Sequence, residues 1–447
     1  MEISFPKKAF HTHGGAHVPH HKNTSMMPTV DMPSPAKVVL PMQQHIGAPC
    51  VPAVKKGDHV YVGTVIGEAK AFVCAPIHAS VSGTVKSVEK VMLSNGNMVD
   101  AVVIESDGLM EPDPALHPLE VKTKEDLIKA ARDCGLVGLG GAGFPAHVKL
   151  NVPADKHIDT LVINVAECEP YVTADHREAI ENGWDLLKGV YLLKRLLEID
   201  RVIIAVENNK PDVISILQRI ADDPQFDPDD HVRVLALPAH YPQGAEKVLI
   251  HACTGRDIPT GGLPADVGCI VMNISSVSAL SRYIDTGMPL VRRRVTVDGS
   301  AVATPMNVSV PLGVSIHDLF EFCGGYSKPV AKLISGGPMM GFAITDDSFP
   351  VTKANNAFLA FAENDAVISE PTACIRCGRC VSACPMNLIP TMLEKYTELK
   401  NVDKLQELDL MTCMECGCCA YSCPAHRRLV QSMRMGKALI RNAGRKN

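Results

Sequence analysis

The spacing of hydrophobic positions changes from one part of this chain to the next, and each change predicts a different kind of element. Residues 1–34 are rich in His, Pro and polar residues with no regular period, which predicts an extended lead. Over residues 35–110 short apolar runs alternate with turn signals, at Ala36 to Leu40, His59 to Ile66, Val81 to Val88 and Ala101 to Glu105, predicting a small all-β unit. An amphipathic stretch from Lys124 to Asp133 predicts a helix. Beyond it the apolar strands Thr160 to Val165, Arg201 to Val206 and His231 to Leu237 are separated by helical patterns at Trp184 to Glu198 and Asp212 to Ala221. That alternation predicts a parallel, doubly wound α/β domain over residues 118–258. In residues 265–345, Val291 to Val297 followed by Asp298-Gly299 reads as a hairpin arm and Ser315 to Cys323 as a helix, giving a compact α+β module. Residues 360–435 hold runs of cysteine with helix-like spacers.

Composition narrows the class. Apolar residues make up 46% of the 447 and aromatics 4%, which suits an aliphatic α/β core. A formal net charge of -5 argues against nucleic acid as a partner. No run of eighteen apolar residues offers a membrane helix, and the N-terminus lacks an export signal, so a cytosolic location is expected. Cytosolic thiols stay reduced, which makes the sixteen cysteines metal ligands or free thiols. Nine of them lie between Cys374 and Cys423.

Those nine contain the run C-x2-C-x2-C-x3-C-P twice: Cys374, Cys377, Cys380 and Cys384 before Pro385, and Cys413, Cys416, Cys419 and Cys423 before Pro424. Soft thiolates at this spacing wrap three corners of a cubane [4Fe–4S] cluster from one loop. In two-cluster ferredoxins of this kind the fourth cysteine crosses over. The expected sets are therefore Cys374, Cys377, Cys380 and Cys423 for one cluster, and Cys413, Cys416, Cys419 and Cys384 for the other. Structural zinc sites also use paired C-x2-C elements but do not require the C-x3-C-P ending in both runs. Cys418 falls outside the pattern and reads as a bystander thiol.

Two further features carry chemistry. The stretch Gly138-Leu139-Gly140-Gly141-Ala142-Gly143-Phe144-Pro145 offers unobstructed backbone amides to a phosphate or a planar ring, though such a stretch can also be only a turn. The strand Thr160 to Val165 runs into Asn164, Glu167, Cys168, Glu169 and Pro170, setting polar groups past the carboxyl end of a parallel strand, where doubly wound folds bind ligands. The alternative is a loop of solvated acids, with Cys168 merely buried. Together with Lys149, these residues resemble the FMN- and NADH-binding domain of the flavoprotein subunit of respiratory complex I. Tyr241, Gly244 and Glu246 resemble that family's Tyr…Gly-Glu-Glu segment, and Asn273 and Ser276 its Asn-Asn-Val-Glu-Thr. Ala166 and Ala245 stand where that family has acids, and Leu139 where it often has Arg.

The early β unit, with Lys56-Gly57-Asp58, Ala75-Pro76 and Ser82-Gly83, is similar to the barrel-sandwich hybrids of lipoyl and biotinyl carriers. Taken in order, a barrel-sandwich hybrid, a Rossmann-like flavin domain, a ubiquitin-like (β-grasp, SLBB-type) module and a two-cluster ferredoxin-like domain resemble the C subunits of Rnf complexes, in their short form. The resemblance implies a peripheral subunit on the cytoplasmic side of the membrane, in a complex that couples ferredoxin:NAD⁺ oxidoreduction to Na⁺ or H⁺ transport. It also implies FMN, NAD(H) as substrate, two [4Fe–4S] clusters, and partner subunits including an iron–sulfur subunit that takes electrons from ferredoxin. Lys149, Asn164, Glu167 and Glu169 would hold the flavin, and Phe144 and Glu246 the nicotinamide nucleotide. A flavin- and cluster-containing cobalamin reductase and a relay subunit with a degenerate flavin site are the alternatives.

Other groups read as structural. His11, His13, His17, His20 and His21 suggest adventitious metal binding at most, and Lys70 a surface lysine rather than a modified one. Arg292, Arg293 and Arg294 are expected to cap a strand on a solvated face.

Overall fold

The computed structural model describes residues 5–94, 96–153, 155–223 and 231–444. Four parallel strands form a sheet in the order Val232–Leu237, Arg201–Glu207, Thr160–Val165, Cys269–Asn273. All-parallel sheets are covered on both faces, which is why these strands are apolar almost throughout. Helices α1 (Lys124–Asp133), α2 (Ala146–Leu150), α3 (Ala174–Glu181), α4 (Gly183–Leu196), α5 (Pro211–Ala221), α6 (Glu246–Thr254) and α7 (Ile274–Thr286) accompany the sheet. Leu161, Ile163 and Val165 share a core with α1, α4, α5 and α7, whereas Val162 joins α6 on the other face. Thr123 caps α1: its hydroxyl accepts from the Asp126 amide at 3.1 Å, and Asp126 accepts the Thr123 amide at 2.9 Å. The fourth strand and α7 carry this layer past residue 258, the expected boundary. The Gly- and Pro-rich connection before Cys269 masks that continuity in the sequence.

A barrel-sandwich unit precedes this layer. It pairs a sheet of Lys37–Pro41, Met98–Ser106, Gly83–Met92 and His59–Val60 with one of Val51–Pro52, Val65–Glu68 and Ile77–His78. After α7, a six-stranded mixed sheet runs Val30–Asp31, Met306–Pro311, Arg292–Asp298, Ala357–Phe361, Lys332–Ser335, Phe342–Ile344, with α8 (Ile316–Phe322) packed on it. Val38, Leu40 and Ile104 of the barrel share one hydrophobic core with Val295, Val308 and Phe320 of this sheet, so the two β units are fused.

The arginine run departs from expectation. Arg293 is 4% exposed, donating to the Leu139 and Asn355 carbonyls at 3.0 and 3.1 Å. Arg294 pairs with Glu178 and with Glu181, the latter at 2.9 Å, and Arg292 donates to Met32 and Ser309. The run lies on an interior strand against α3, and opposite charges there offset its desolvation.

The C-terminal unit comprises α9 (Arg379–Ser382), α10 (Pro390–Glu398), α11 (Val402–Glu407), α12 (Cys418–Tyr421) and α13 (Leu429–Gly444) around Leu388, Leu393, Leu405, Leu410 and Met433. Its cysteine runs share one backbone: Arg376 and Glu415, Gly378 and Gly417, and Asn387 and His426 take positive φ at matching places. The extended lead is docked along much of its length. Phe10 donates to Ala252, Gly15 to Ala383, and Ala16 bridges to Tyr241, so it straps the α/β layer to the cysteine domain. Among the described residues no helix is long and apolar enough to cross a membrane.

Candidate functional site

The glycine-rich loop joins α1 to α2 and is closed by the Gly138 amide on the Phe144 carbonyl at 2.8 Å. Ser276 fixes it from α7, accepting the Leu139 amide at 3.1 Å and donating to Val137. Arg293 holds Leu139 from behind, and Ile46 of the barrel donates to Gly143. Nothing lies within 4 Å of where a Cβ on Gly141 would stand, whereas one on Gly140 would fall 2.4 Å from the Asn273 amide nitrogen. The loop therefore shows bare backbone on its outer side and abuts Asn273 on its inner side.

Next to it, at the carboxyl ends of two parallel strands, polar groups converge. Lys149 Nζ donates to Glu246 at 2.8 Å and to the Val271 carbonyl at 2.9 Å; the two side chains keep 32% and 41% of their surface in solvent. Asn164 Nδ2 donates to the Gly244 carbonyl at 2.8 Å, and its Oδ1 accepts the Ala166 amide. Asn273 caps α7 and donates to Asp175 at 2.6 Å, and Ser275 adds a second bond to Asp175. Burial pushes the Asp175 carboxyl above its ordinary pKa, against the pull of Ser275, Asn273 and Arg293.

The acidic motif faces elsewhere. Glu167 has φ of 49°, and its carboxylate accepts the Asp175 and His176 amides at 2.6 and 3.1 Å, at the start of α3. The residue is half-exposed, but its carboxyl is withdrawn from water, which pushes its pKa up. Glu169 accepts the Met339 and Met340 amides at 3.0 and 2.7 Å, tying the motif to the turn between strands Lys332–Ser335 and Phe342–Ile344 of the six-stranded sheet. Two lysines hold the backbone between them. Lys22 donates to the carbonyls of Glu167, Glu169 and Val172 at 2.7, 2.8 and 2.6 Å. The buried Lys210 donates to the Ala166 carbonyl at 2.6 Å and to Glu207 at 3.0 Å.

The structure thus brings together Gly138, Gly140, Gly141, Gly143, Phe144, Lys149, Asn164, Gly244, Glu246, Asn273 and Ser276, while Glu167 and Glu169 act as joints. Tyr241 is buried away from the glycine loop, its hydroxyl on the Cys416 carbonyl at 2.6 Å. Lys22, Lys210, Asp175 and Arg293 escape sequence reading, because long-range contacts alone give them a role.

In the cysteine domain, Cys384, Cys413, Cys416 and Cys419 line one cavity with Leu393, Met414 and Met433, so Cys384 lies with three cysteines of the second run. Cys380 lies within electrostatic range of Cys423 and Cys374. The amides of Arg376, Leu388 and Glu415 donate to the sulfurs of Cys374, Cys384 and Cys413 at 3.4 Å each, the kind of hydrogen bond that tunes a cluster's potential. Among the described residues, no three His, Cys, Asp or Glu side chains converge tightly enough for a single metal ion, in the lead or elsewhere. Cys418 is fully buried, its thiol toward the Tyr241 carbonyl. Both groups fit: four thiols around a cavity suit a cubane cluster, and an open glycine loop beside an ammonium suits a flavin phosphate.

Comparison with known proteins agrees with this layout. Residues 10–109 match the RnfC barrel sandwich hybrid domain, 131–282 the Nuo51 FMN-binding domain, 294–343 the SLBB domain and 366–438 the 4Fe-4S dicluster domain. An NAD⁺-reducing [NiFe]-hydrogenase chain shares the fold at a TM-score of 0.50 and 18% identity, over 71% of this chain and 62% of that one. The C subunit of the Na⁺-translocating ferredoxin:NAD⁺ oxidoreductase complex of Acetobacterium woodii is 42% identical over 96% of both chains. Its counterpart in the proton-translocating ferredoxin:NAD⁺ oxidoreductase complex of Clostridium ljungdahlii is 40% identical, over 96% of this chain and 94% of its own. The C subunit of the ion-translocating oxidoreductase complex of Rhodobacter capsulatus is 37% identical, over 97% and 84%. With every unit of the fold matched and such identity sustained end to end, the chain belongs to the C-subunit family of the ion-translocating ferredoxin:NAD⁺ oxidoreductase (Rnf) complexes.

Proposed function

We propose that this chain is the NAD(H)-facing electron-transfer subunit of a ferredoxin:NAD⁺ oxidoreductase complex that moves Na⁺ or H⁺, seated peripherally on the cytoplasmic side of the membrane. The observation that carries the reading is the meeting, within one chain, of the open glycine loop beside Lys149, Asn164 and Glu246 with a domain in which Cys384, Cys413, Cys416 and Cys419 line one cavity and Cys374, Cys377, Cys380 and Cys423 complete the two cysteine runs. FMN, when bound, takes up two electrons together and releases them singly, matching a hydride carrier to one-electron clusters.

The chain's own part is binding and positioning. Lys149 and Asn164 hold the flavin, with the Gly140 and Gly141 backbone against its phosphate. Phe144 and Glu246 position the nicotinamide nucleotide. Glu167 and Glu169 act through the loop they anchor, and Asn273 and Ser276 through the glycine loop. Cys374, Cys377, Cys380 and Cys423 hold one [4Fe–4S] cluster; Cys413, Cys416, Cys419 and Cys384 hold the other. No side chain is required as a general acid or base. The remaining subunits of the complex, including an iron–sulfur subunit that receives electrons from ferredoxin, complete the path.

Anaerobic purification with flavin and iron analysis, followed by NADH titration, tests the reading. About one flavin and two clusters per chain, with the flavin bleached by NADH, is expected. Clusters without flavin, or flavin that NADH leaves oxidised, would overturn it; reduction of a corrinoid without co-purifying membrane subunits would favour a cobalamin reductase.

A further inference from the structure

The two cysteine sets differ in what surrounds them. Tyr241 is 2% exposed, and its hydroxyl donates to the carbonyl of Cys416 at 2.6 Å. Three residues on, the Gly244 carbonyl accepts from Asn164, and Glu246 then meets Lys149. Two hydrogen bonds and a few peptide units thus connect the second cysteine run to the flavin-side residues. Cys168, Tyr241, Met339, Cys416 and Cys418 pack in one apolar cluster, which excludes water from this junction. Across it, a Cβ on Gly417 would stand 3.1 Å from the Met339 carbonyl, whose own amide is bonded to Glu169. Cys384, which crosses over to the second run's set, is pressed by the lead: a Cβ on Gly14 would stand 2.7 Å from its carbonyl carbon. The first run lies open instead. Cys374 and Cys377 are exposed, and Ile375 between them is 66% exposed.

We propose that the cluster of Cys413, Cys416, Cys419 and Cys384 is the inner one, adjacent to the flavin, that Tyr241 is the positioning residue joining the two, and that the cluster of Cys374, Cys377, Cys380 and Cys423 is the outer one. Electrons from NADH then pass in the reverse of sequence order, second run before first, and electrons entering from a partner take the opposite course. Each transfer moves one electron: the flavin reduces the inner cluster, and the inner cluster is re-oxidised as it reduces the outer. The Tyr241 hydroxyl turns the positive end of its dipole toward Cys416 of the inner cluster and favours the reduced form, whereas the Lys437 ammonium, on the Cys413 carbonyl at 2.6 Å, is neutralised by Glu415 at 2.8 Å. This proposal rests on the flavin reading above.

Rapid freeze-quench EPR of the anaerobic holoprotein after mixing with NADH tests it. In Cys374→Ala, the signal of the surviving cluster should develop together with flavin bleaching. In Cys416→Ala, it should lag flavin bleaching at least tenfold. The converse lag, or no lag in either, overturns the order. Should Cys416→Ala not fold, Tyr241→Phe keeps both clusters, and a dithionite titration followed by EPR decides. A downward shift is expected only in the signal that persists in Cys374→Ala; a shift in the other signal, or in neither, overturns the assignment. Wild-type flavin that is absent or unbleached would instead strike the flavin reading, and the dithionite titration still reports on the neighbour of Tyr241.

Discussion

His78 sits 3% exposed on a short barrel strand, and among the described residues its Nδ1 has no hydrogen-bond partner. Burial, and behind it the Lys353 ammonium, pushes its pKa down from 6.5 to about 3. The unfolded chain therefore binds a proton between those values that the native ring refuses. Its stabilising contribution is complete above pH 6.5 and is lost progressively as pH falls toward 3, to the extent of a few kcal/mol. Hydrogen-exchange protection of the barrel strands should fall between about pH 6.5 and 4.5, and His78→Gln should flatten that dependence. A different residue-level limit operates at Gly140, where a methyl group would fall 2.4 Å from Nδ2 and 2.9 Å from Cγ of Asn273. Gly140→Ala should push Asn273 off Asp175 and lower the flavin-to-iron ratio of purified protein several-fold, with both clusters retained. The glycine spacing makes this site legible in the sequence, but Lys22 is not: it lies 145 residues from Glu167, in a segment without periodicity.

At the scale of the element, the strand Arg292–Asp298 shows what a period can and cannot reveal. Side chains alternate along a strand, so Arg293 shares its inward face with Val295 and Val297, and that register is readable from the sequence. Three arginines in succession nevertheless suggest a solvated edge, because the matching acids, Glu178 and Glu181, come from a helix more than a hundred residues earlier. Removing Arg293 strands the Leu139 carbonyl and leaves Asp175 without its nearby cation. Arg293→Met should cost roughly 3 kcal/mol, the scale for breaking a buried ionic contact, and should loosen the flavin as the glycine loop loses its backing. Chemical denaturation and flavin retention on gel filtration measure the two effects. Helix α1, by contrast, follows directly from its amphipathic pattern and capping box, which are wholly local.

Over the whole molecule, the kinds of domain are legible because each rests on short-range patterns, whereas their joints are not. Glu169 looks like a flavin ligand beside Glu167, yet its carboxylate reaches a turn 170 residues away. The barrel and the six-stranded sheet have separate strand patterns but one core. The lead shows no period because its described residues form no element beyond the Val30–Asp31 strand; its backbone pairs with three separate units.

That strap has a consequence for how the protein is made. The ribosome releases residues 10–22 early, but the partner of Gly15 at Ala383 emerges only after the α/β layer, the barrel and the six-stranded sheet, beside Cys384, a thiol that the proposed cluster would hold. Until then the leading segment can close only upon the α/β layer, at Ala252, Tyr241 and the carbonyls that Lys22 holds, and its joint to the cysteine domain, Gly15 on Ala383, forms last. Cluster insertion would then complete the fold as well as supply the redox centre. Chain isolated without iron should lose hydrogen-exchange protection at the Gly15 amide, which donates to Ala383, while keeping it at the Phe10 amide, which donates to Ala252; chain with both clusters should protect both, and fragment mass spectrometry after exchange distinguishes the two. Equal protection of the Gly15 amide in both forms would show that the strap docks independently of the clusters.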